Sequence, residues 1–247
     1  MLFLTLFLAV PGRVMAAGQK TVYVLTSVSL STGQTTTLSY NKNGLLSKAS
    51  IPSGSWGVPN KQLKASYDKN GFLKKAILSD YNRKFTHTFS YQSGKPAKHT
   101  VITKYDSGTK ETSVMTYKFK GKTFTSTVKD AKTGEKEATV TGKTNSKNRL
   151  LSLSVKNTGE PAEKVKFKYD TKGFLKSAAY DTYTITYTNT VKSGRLVKMT
   201  EDKSTVYSFK YKKVTVPASY VPKVKAQQNY IISNLTQQWY SFDHPIW

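Results

Sequence analysis

Tyr67-Asp68-Lys69-Asn70-Gly71-Phe72-Leu73-Lys74-Lys75-Ala76 reads as an aromatic residue, a polar turn closed by glycine, an apolar restart and then lysines. Two other stretches repeat it: Tyr169-Asp170-Thr171-Lys172-Gly173-Phe174-Leu175-Lys176-Ser177-Ala178 and Tyr40-Asn41-Lys42-Asn43-Gly44-Leu45-Leu46-Ser47-Lys48-Ala49. Asp and Asn bond backbone N–H groups just ahead of them, and Gly accepts a positive φ at little steric cost. Each stretch is therefore a β-hairpin in outline: strand, turn, strand.

The same punctuation recurs along the chain. Ser31-Thr32-Gly33, Gln92-Ser93-Gly94, Asp106-Ser107-Gly108, Lys132-Thr133-Gly134, Asn157-Thr158-Gly159 and Lys192-Ser193-Gly194 are further turn signals. Between them the apolar period is two. Phe85, His87, Phe89 and Tyr91 alternate with polar residues, as do Met115, Tyr117 and Phe119, then Val165, Phe167 and Tyr169, then Tyr207, Phe209 and Tyr211. Side chains on a strand alternate between faces, so each segment has one aromatic face and one Thr/Lys face. Strands start about 10 to 14 residues apart, too close for parallel crossovers. The expected fold is all-β: an antiparallel meander of roughly 14 to 16 strands forming a curved sheet or open barrel.

Two stretches depart from this rhythm. Ile51-Pro52-Ser53-Gly54-Ser55-Trp56-Gly57-Val58-Pro59-Asn60 holds two prolines and two glycines, and reads as a loop carrying one Trp. After Pro217 and Pro222 the period changes. Val224, Ile231, Leu235 and Trp239 share one helical side, with Gln227, Asn234 and Gln238 placed elsewhere, which predicts an amphipathic helix over 221–238. It is expected to cover the aromatic face or an open end of the sheet. The organisation is thus 18–216 as the β-domain and 217–247 as a helix with an aromatic tail.

Residues 1–17 open with the apolar run MLFLTLFLAV and end in small residues, Met15-Ala16-Ala17. The run is too short to span a bilayer, which takes about 20 residues, and suits a secretory signal peptide. No other segment predicts a transmembrane helix, so the chain is expected to be secreted or associated with the cell envelope. Removing the signal deletes one basic residue, Arg13.

Tyr-Asp-x-x-Gly-Phe-Leu at 67–73 and 169–175 resembles the YD repeat of Rhs-type proteins, and Ser193-Gly194-Arg195-Leu196 carries the Gly-Arg-Leu variant of that unit. The likeness covers scattered units within residues 34–200. Phe or Leu stands where those repeats usually have Arg, and the chain is far shorter than the large shells that the family builds. The resemblance implies a meander of YD hairpins. It brings no catalytic residue, because those repeats are structural.

Chemistry-bearing residues are sparse. The chain has no Cys and three His, none paired at His-x-His or His-x₃-His spacing, so neither a metal nor another cofactor is expected. Glu135, Glu137 and Asp181 are the candidate acids for an extracellular glycan-acting enzyme, the alternative reading, although strand-exposed charge beside Lys132 and Lys136 accounts for Glu135 and Glu137 more cheaply. An outer-membrane barrel ranks third, because Pro245 spoils a final strand and many runs are short.

The surplus is basic: 39 Lys and Arg against 14 Asp and Glu in 247 residues, a formal charge of +25. Such a surface attracts polyanions, with strong salt dependence. The candidate polyanion-binding residues are Lys118 and Lys120, Lys164, Lys166 and Lys168, and Lys210 and Lys212. They form stripes that merge into one positive surface if their strands are adjacent. Trp56 is the candidate for stacking on a sugar. The expected partner is an anionic envelope polymer or glycan. Nucleic acid is disfavoured, since the rings alternate with the lysines and face the other way.

Overall fold

The computed structural model describes residues 18–52, 61–146 and 149–235. The proposed signal peptide, the Trp56 loop and the aromatic tail lie outside the described residues.

Sixteen strands follow one another: β1 (Gln19–Leu30), β2 (Thr35–Tyr40), β3 (Leu46–Ile51), β4 (Lys61–Tyr67), β5 (Leu73–Ser79), β6 (Arg83–Gln92), β7 (Lys95–Tyr105) and β8 (Lys110–Lys120). The second half comprises β9 (Thr123–Asp130), β10 (Lys136–Thr144), β11 (Leu150–Asn157), β12 (Glu163–Tyr169), β13 (Leu175–Tyr180), β14 (Thr184–Lys192), β15 (Arg195–Glu201) and β16 (Thr205–Pro217). A 3-10 turn, Ala218–Tyr220, leads into helix α1 (Val221–Leu235). Each strand pairs antiparallel with its neighbours, and β16 pairs with β1, so the meander closes into a barrel. This is more specific than a curved sheet or open barrel. Joining the first strand to the last leaves no free edge.

A round barrel of sixteen strands has room for an aqueous lumen. Here the inward positions, among them Val28, Leu38, Leu78, Phe85, Val101, Met115, Val128, Val140, Leu153, Phe167, Met199 and Phe209, are buried in one apolar cluster. Side chains fill the interior, which requires opposite walls to approach to about sheet-packing distance, ~10 Å. The alternation read from the sequence is thus resolved as rings and aliphatics inside, lysines and hydroxyls outside. Tyr183 departs from it. The side chain sits at the rim, 55% exposed, and stacks on Tyr180 with ring centroids 4.5 Å apart.

The repeated phrase now has a physical content. Asp68 Oδ1 accepts from the N–H groups of Asn70 and Phe72, and Asn41 Oδ1 from those of Asn43 and Leu45. Asp170 Oδ1 accepts from Phe174 N–H. The tyrosine and the leucine tie each hairpin to the preceding one. Tyr40 donates its hydroxyl proton to the carbonyl of Leu25, Tyr67 to Leu46, Tyr91 to Leu73, Tyr169 to Leu150 and Tyr211 to Leu196. Asn189 takes the tyrosine's place at Leu175. Burial raises the hydroxyl pKa values of Tyr40, Tyr67, Tyr91 and Tyr211 above the ordinary value, so they remain donors at any physiological pH. Replacing Tyr169 with Phe leaves the Leu150 carbonyl without this donor. The expected loss is about 1 kcal/mol, read as a lower urea midpoint at unchanged slope. An unaltered midpoint would show that this bond adds nothing to stability.

Helix α1 closes the barrel where β1 to β4 lose their partners. β1 pairs with β2 only over Ser27–Ser29, after a bulge between Leu25 and Ser27, so its first half is held by β16 alone. Gln228 Oε1 accepts the Leu25 N–H at 2.7 Å, and Gln227 Oε1 accepts the Leu46 N–H at 2.7 Å. Gln227 Nε2 also donates to the Tyr67 hydroxyl at 2.6 Å. The sequence reading set Gln227 off the packing side; in fact Gln227 and Gln228 are buried beside Val224, Ile231 and Ile232. They occupy that side because the strand ends present N–H groups there, not apolar surface. Val224 packs with Val22, Val24, Leu45 and Val216 in a second, smaller core. At Gly44 (φ +76°) a Cβ would lie 2.7 Å from Val216 and 3.0 Å from Val224, so glycine allows both the turn and the helix contact.

Candidate polyanion-binding surface

The hairpin registers assign each outward side chain a place on the wall. β8 presents Thr112, Val114, Thr116, Lys118 and Lys120, and β9 presents Thr123, Thr125, Thr127 and Lys129. β10 adds Thr139, Thr141 and Lys143; β11 adds Ser152, Ser154 and Lys156; β12 adds Lys164, Lys166 and Lys168. With Lys110 at the start of β8 and Lys136, which pairs with Lys129, these five strands carry ten lysines and no carboxylate in a paired outward position, and Glu137 stands exposed in the β10 bulge. The next five, β13 to β1, carry Lys192, Arg195, Lys198, Lys210 and Lys212.

The lysine stripes named from the sequence are therefore not neighbours. Lys118 and Lys120, Lys164 to Lys168, and Lys210 and Lys212 lie on β8, β12 and β16, each four strands from the next. At about 4.8 Å per strand they stand ~19 Å apart and do not merge directly. What links the first two is Lys143 on β10, with Lys129 and Lys156 nearer the far end. Strand composition drew no attention to these residues; only the register brings them into line. Lys120 faces Thr123, Thr123 faces Lys143, Lys143 faces Ser152 and Ser152 faces Lys166. One row across the wall thus alternates ammonium and hydroxyl.

The candidate acids do not converge. Glu135 is in the β9–β10 turn and Glu137 falls at the bulge between Lys136 and Ala138, both exposed. Asp181, in the β13–β14 turn, accepts the Lys164 N–H at 3.2 Å. Two carboxylates are covered among the described residues: Asp80, which pairs with Arg83 at 3.0 Å, and Glu201, at the barrel end opposite α1, where it accepts the Tyr207 hydroxyl at 2.8 Å. Lys61 is also buried at that end. Glu201 and Lys61 are not legible from the sequence, because both break an otherwise apolar inward pattern at strand ends. Among the described residues no group of three His, Asp or Glu is placed to hold a metal ion.

The alternation of Phe85, His87 and Phe89 puts His87 on the aromatic face, and β7 brings His99 beside it. Both are inward and buried, with His87 Nδ1 and His99 Nε2 3.0 Å apart. Phe89 stacks on His99 at 4.3 Å between centroids. Burial holds His87 down to about 3, and burial together with its neighbour His87 holds His99 well below the usual histidine range. Both rings are neutral packing elements at neutral pH.

No family model matches the chain, and no curated protein matches it. The similarity that does emerge is one of fold. A porin-like protein from Bacteroides vulgatus superposes with a TM-score of 0.51 at 12% identity, over 76% of this chain and 99% of the other. In fold, the chain is similar to a porin-like barrel. A second porin-like protein, from Bacteroides uniformis, aligns at 12% identity over 78% of this chain and 96% of its own, with a TM-score of 0.34. No helix among the described residues is long and apolar enough to cross a membrane, which leaves open crossing by strands.

Proposed function

We propose that this chain is a non-enzymatic barrel that works in water, outside the cell or at its envelope, by holding an anionic polymer against its basic outer wall. The observation that carries this reading is the wall itself: apart from Val114, the paired outward positions of β8 to β12 offer lysine and hydroxyl side chains, and the carboxylate of Glu137 lies in the β10 bulge. The same wall argues against a lipid-facing barrel. A lysine at the bilayer midplane of such a barrel costs about 2–4 kcal/mol. Four of them would consume the roughly 5–15 kcal/mol by which a domain is stable. The large apolar side chains exposed among the described residues are three tyrosines, Tyr23, Tyr81 and Tyr183, too few for an apolar band.

The test is retention on immobilised heparin and on long-chain polyphosphate. Strong binding at 50 mM salt is expected. Protein neutralising six or more charges should lose on the order of 1,000-fold in affinity by 200 mM. Passage through both resins at low salt would overturn the proposal.

A further inference from the structure

The wall is basic all round, so net charge alone would make every side equivalent. The register says otherwise. The row Lys120–Thr123–Lys143–Ser152–Lys166 places an ammonium on every second strand with a hydroxyl between, over four strand spacings. All three lysines are exposed, and none makes an ion pair among the described residues. Lys118 and Lys164 flank a parallel row of Thr125, Thr141 and Ser154. From this pattern we infer that the β8–β12 arc is the binding track, and that its partner is a linear phosphate-bearing polymer, held through its phosphates alone and lying across the strands. This deepens the function proposed above and rests on it.

Three features select that chemistry. Ammonium groups meet phosphate as point charges without needing a planar fork, and the track holds lysines, not arginines. The hydroxyls between them can donate to the remaining phosphate oxygens. The aromatic rings of these strands point inward, so the track offers charge and hydroxyls but no stacking platform. Bases or sugar rings on the polymer add nothing, and the phosphate backbone is what is held.

The experiment compares two triple charge reversals with the same net change. One is Lys120→Glu/Lys143→Glu/Lys166→Glu on the track; the other is Lys192→Glu/Lys198→Glu/Lys210→Glu on the far arc. Binding to fluorescent long-chain polyphosphate is measured from 50 to 200 mM salt, with thermal unfolding of each variant to establish that it folds. A matching pair of Lys→Gln triples serves if a reversal fails to fold. The track variant should lose on the order of 100-fold in affinity at 50 mM salt, and its log–log salt slope should fall by about 2. The far-arc variant should change little. Equal losses in both would overturn the track while leaving general polyanion binding intact. Absence of wild-type binding at 50 mM salt would overturn both. Tighter binding of single-stranded DNA than of base-free polyphosphate of equal charge would overturn the partner assignment.

Discussion

Acidification from pH 7 to 4.5 should cost the folded barrel about 2–3 kcal/mol through His87 alone. The folded value near 3 lies below the 6.5 of an unfolded chain, so the unfolded state binds the proton first. Stability is therefore full above about pH 6.5 and falls as pH drops. The His87 contribution stops growing below about pH 3. His99 is lowered in the same direction and adds to the loss, and charging both rings, whose facing nitrogens are 3.0 Å apart, would be worse than either alone. Urea midpoints measured between pH 7 and 5.5 isolate this effect, because most carboxylates titrate lower. The double variant His87→Leu/His99→Leu should flatten the profile in that interval. A wild-type profile already flat there would show that the imidazoles are hydrated.

Replacing the two helix glutamines should be as damaging. In Gln227→Leu/Gln228→Leu the N–H groups of Leu25 and Leu46 lose their acceptors where no strand can supply one. A buried donor left unpaired costs about 1–3 kcal/mol, so the pair should cost about 2–6. The readouts are the urea midpoint and amide exchange at Leu25 and Leu46, which should accelerate while the β8–β12 amides stay protected. A loss under 1 kcal/mol would mean that water replaces the side-chain amides and that α1 is a loosely docked appendage.

Most of the wall was legible in the sequence, because the glycines that close the turns and the period-two alternation are local signals. Gly44, Gly71 and Gly173 all have the positive φ that their turns require. Closure was not legible. Nothing in Gln19–Leu30 or Thr205–Pro217 announces that these segments, nearly two hundred residues apart, are neighbours. The binding face was legible only in part. Lys164, Lys166 and Lys168 are conspicuous in the sequence because they are close together. Lys143 sits among threonines, and its weight comes from cross-strand register, which a string of letters does not display. The histidine pair was hidden similarly, since His87 and His99 meet diagonally across β6 and β7 while looking like isolated residues.

The pairing of β1 with β16 also has a bearing on how the molecule is made. Each hairpin can form as it leaves the ribosome, but the seam must wait for the final strand. Until then β1 and the newest strand both offer unpaired backbone to other chains. Biogenesis is thus governed by the slowest, longest-range contact in the molecule. Cells producing this protein at high concentration would gain most from a chaperone that shelters the two unfinished borders until they find each other.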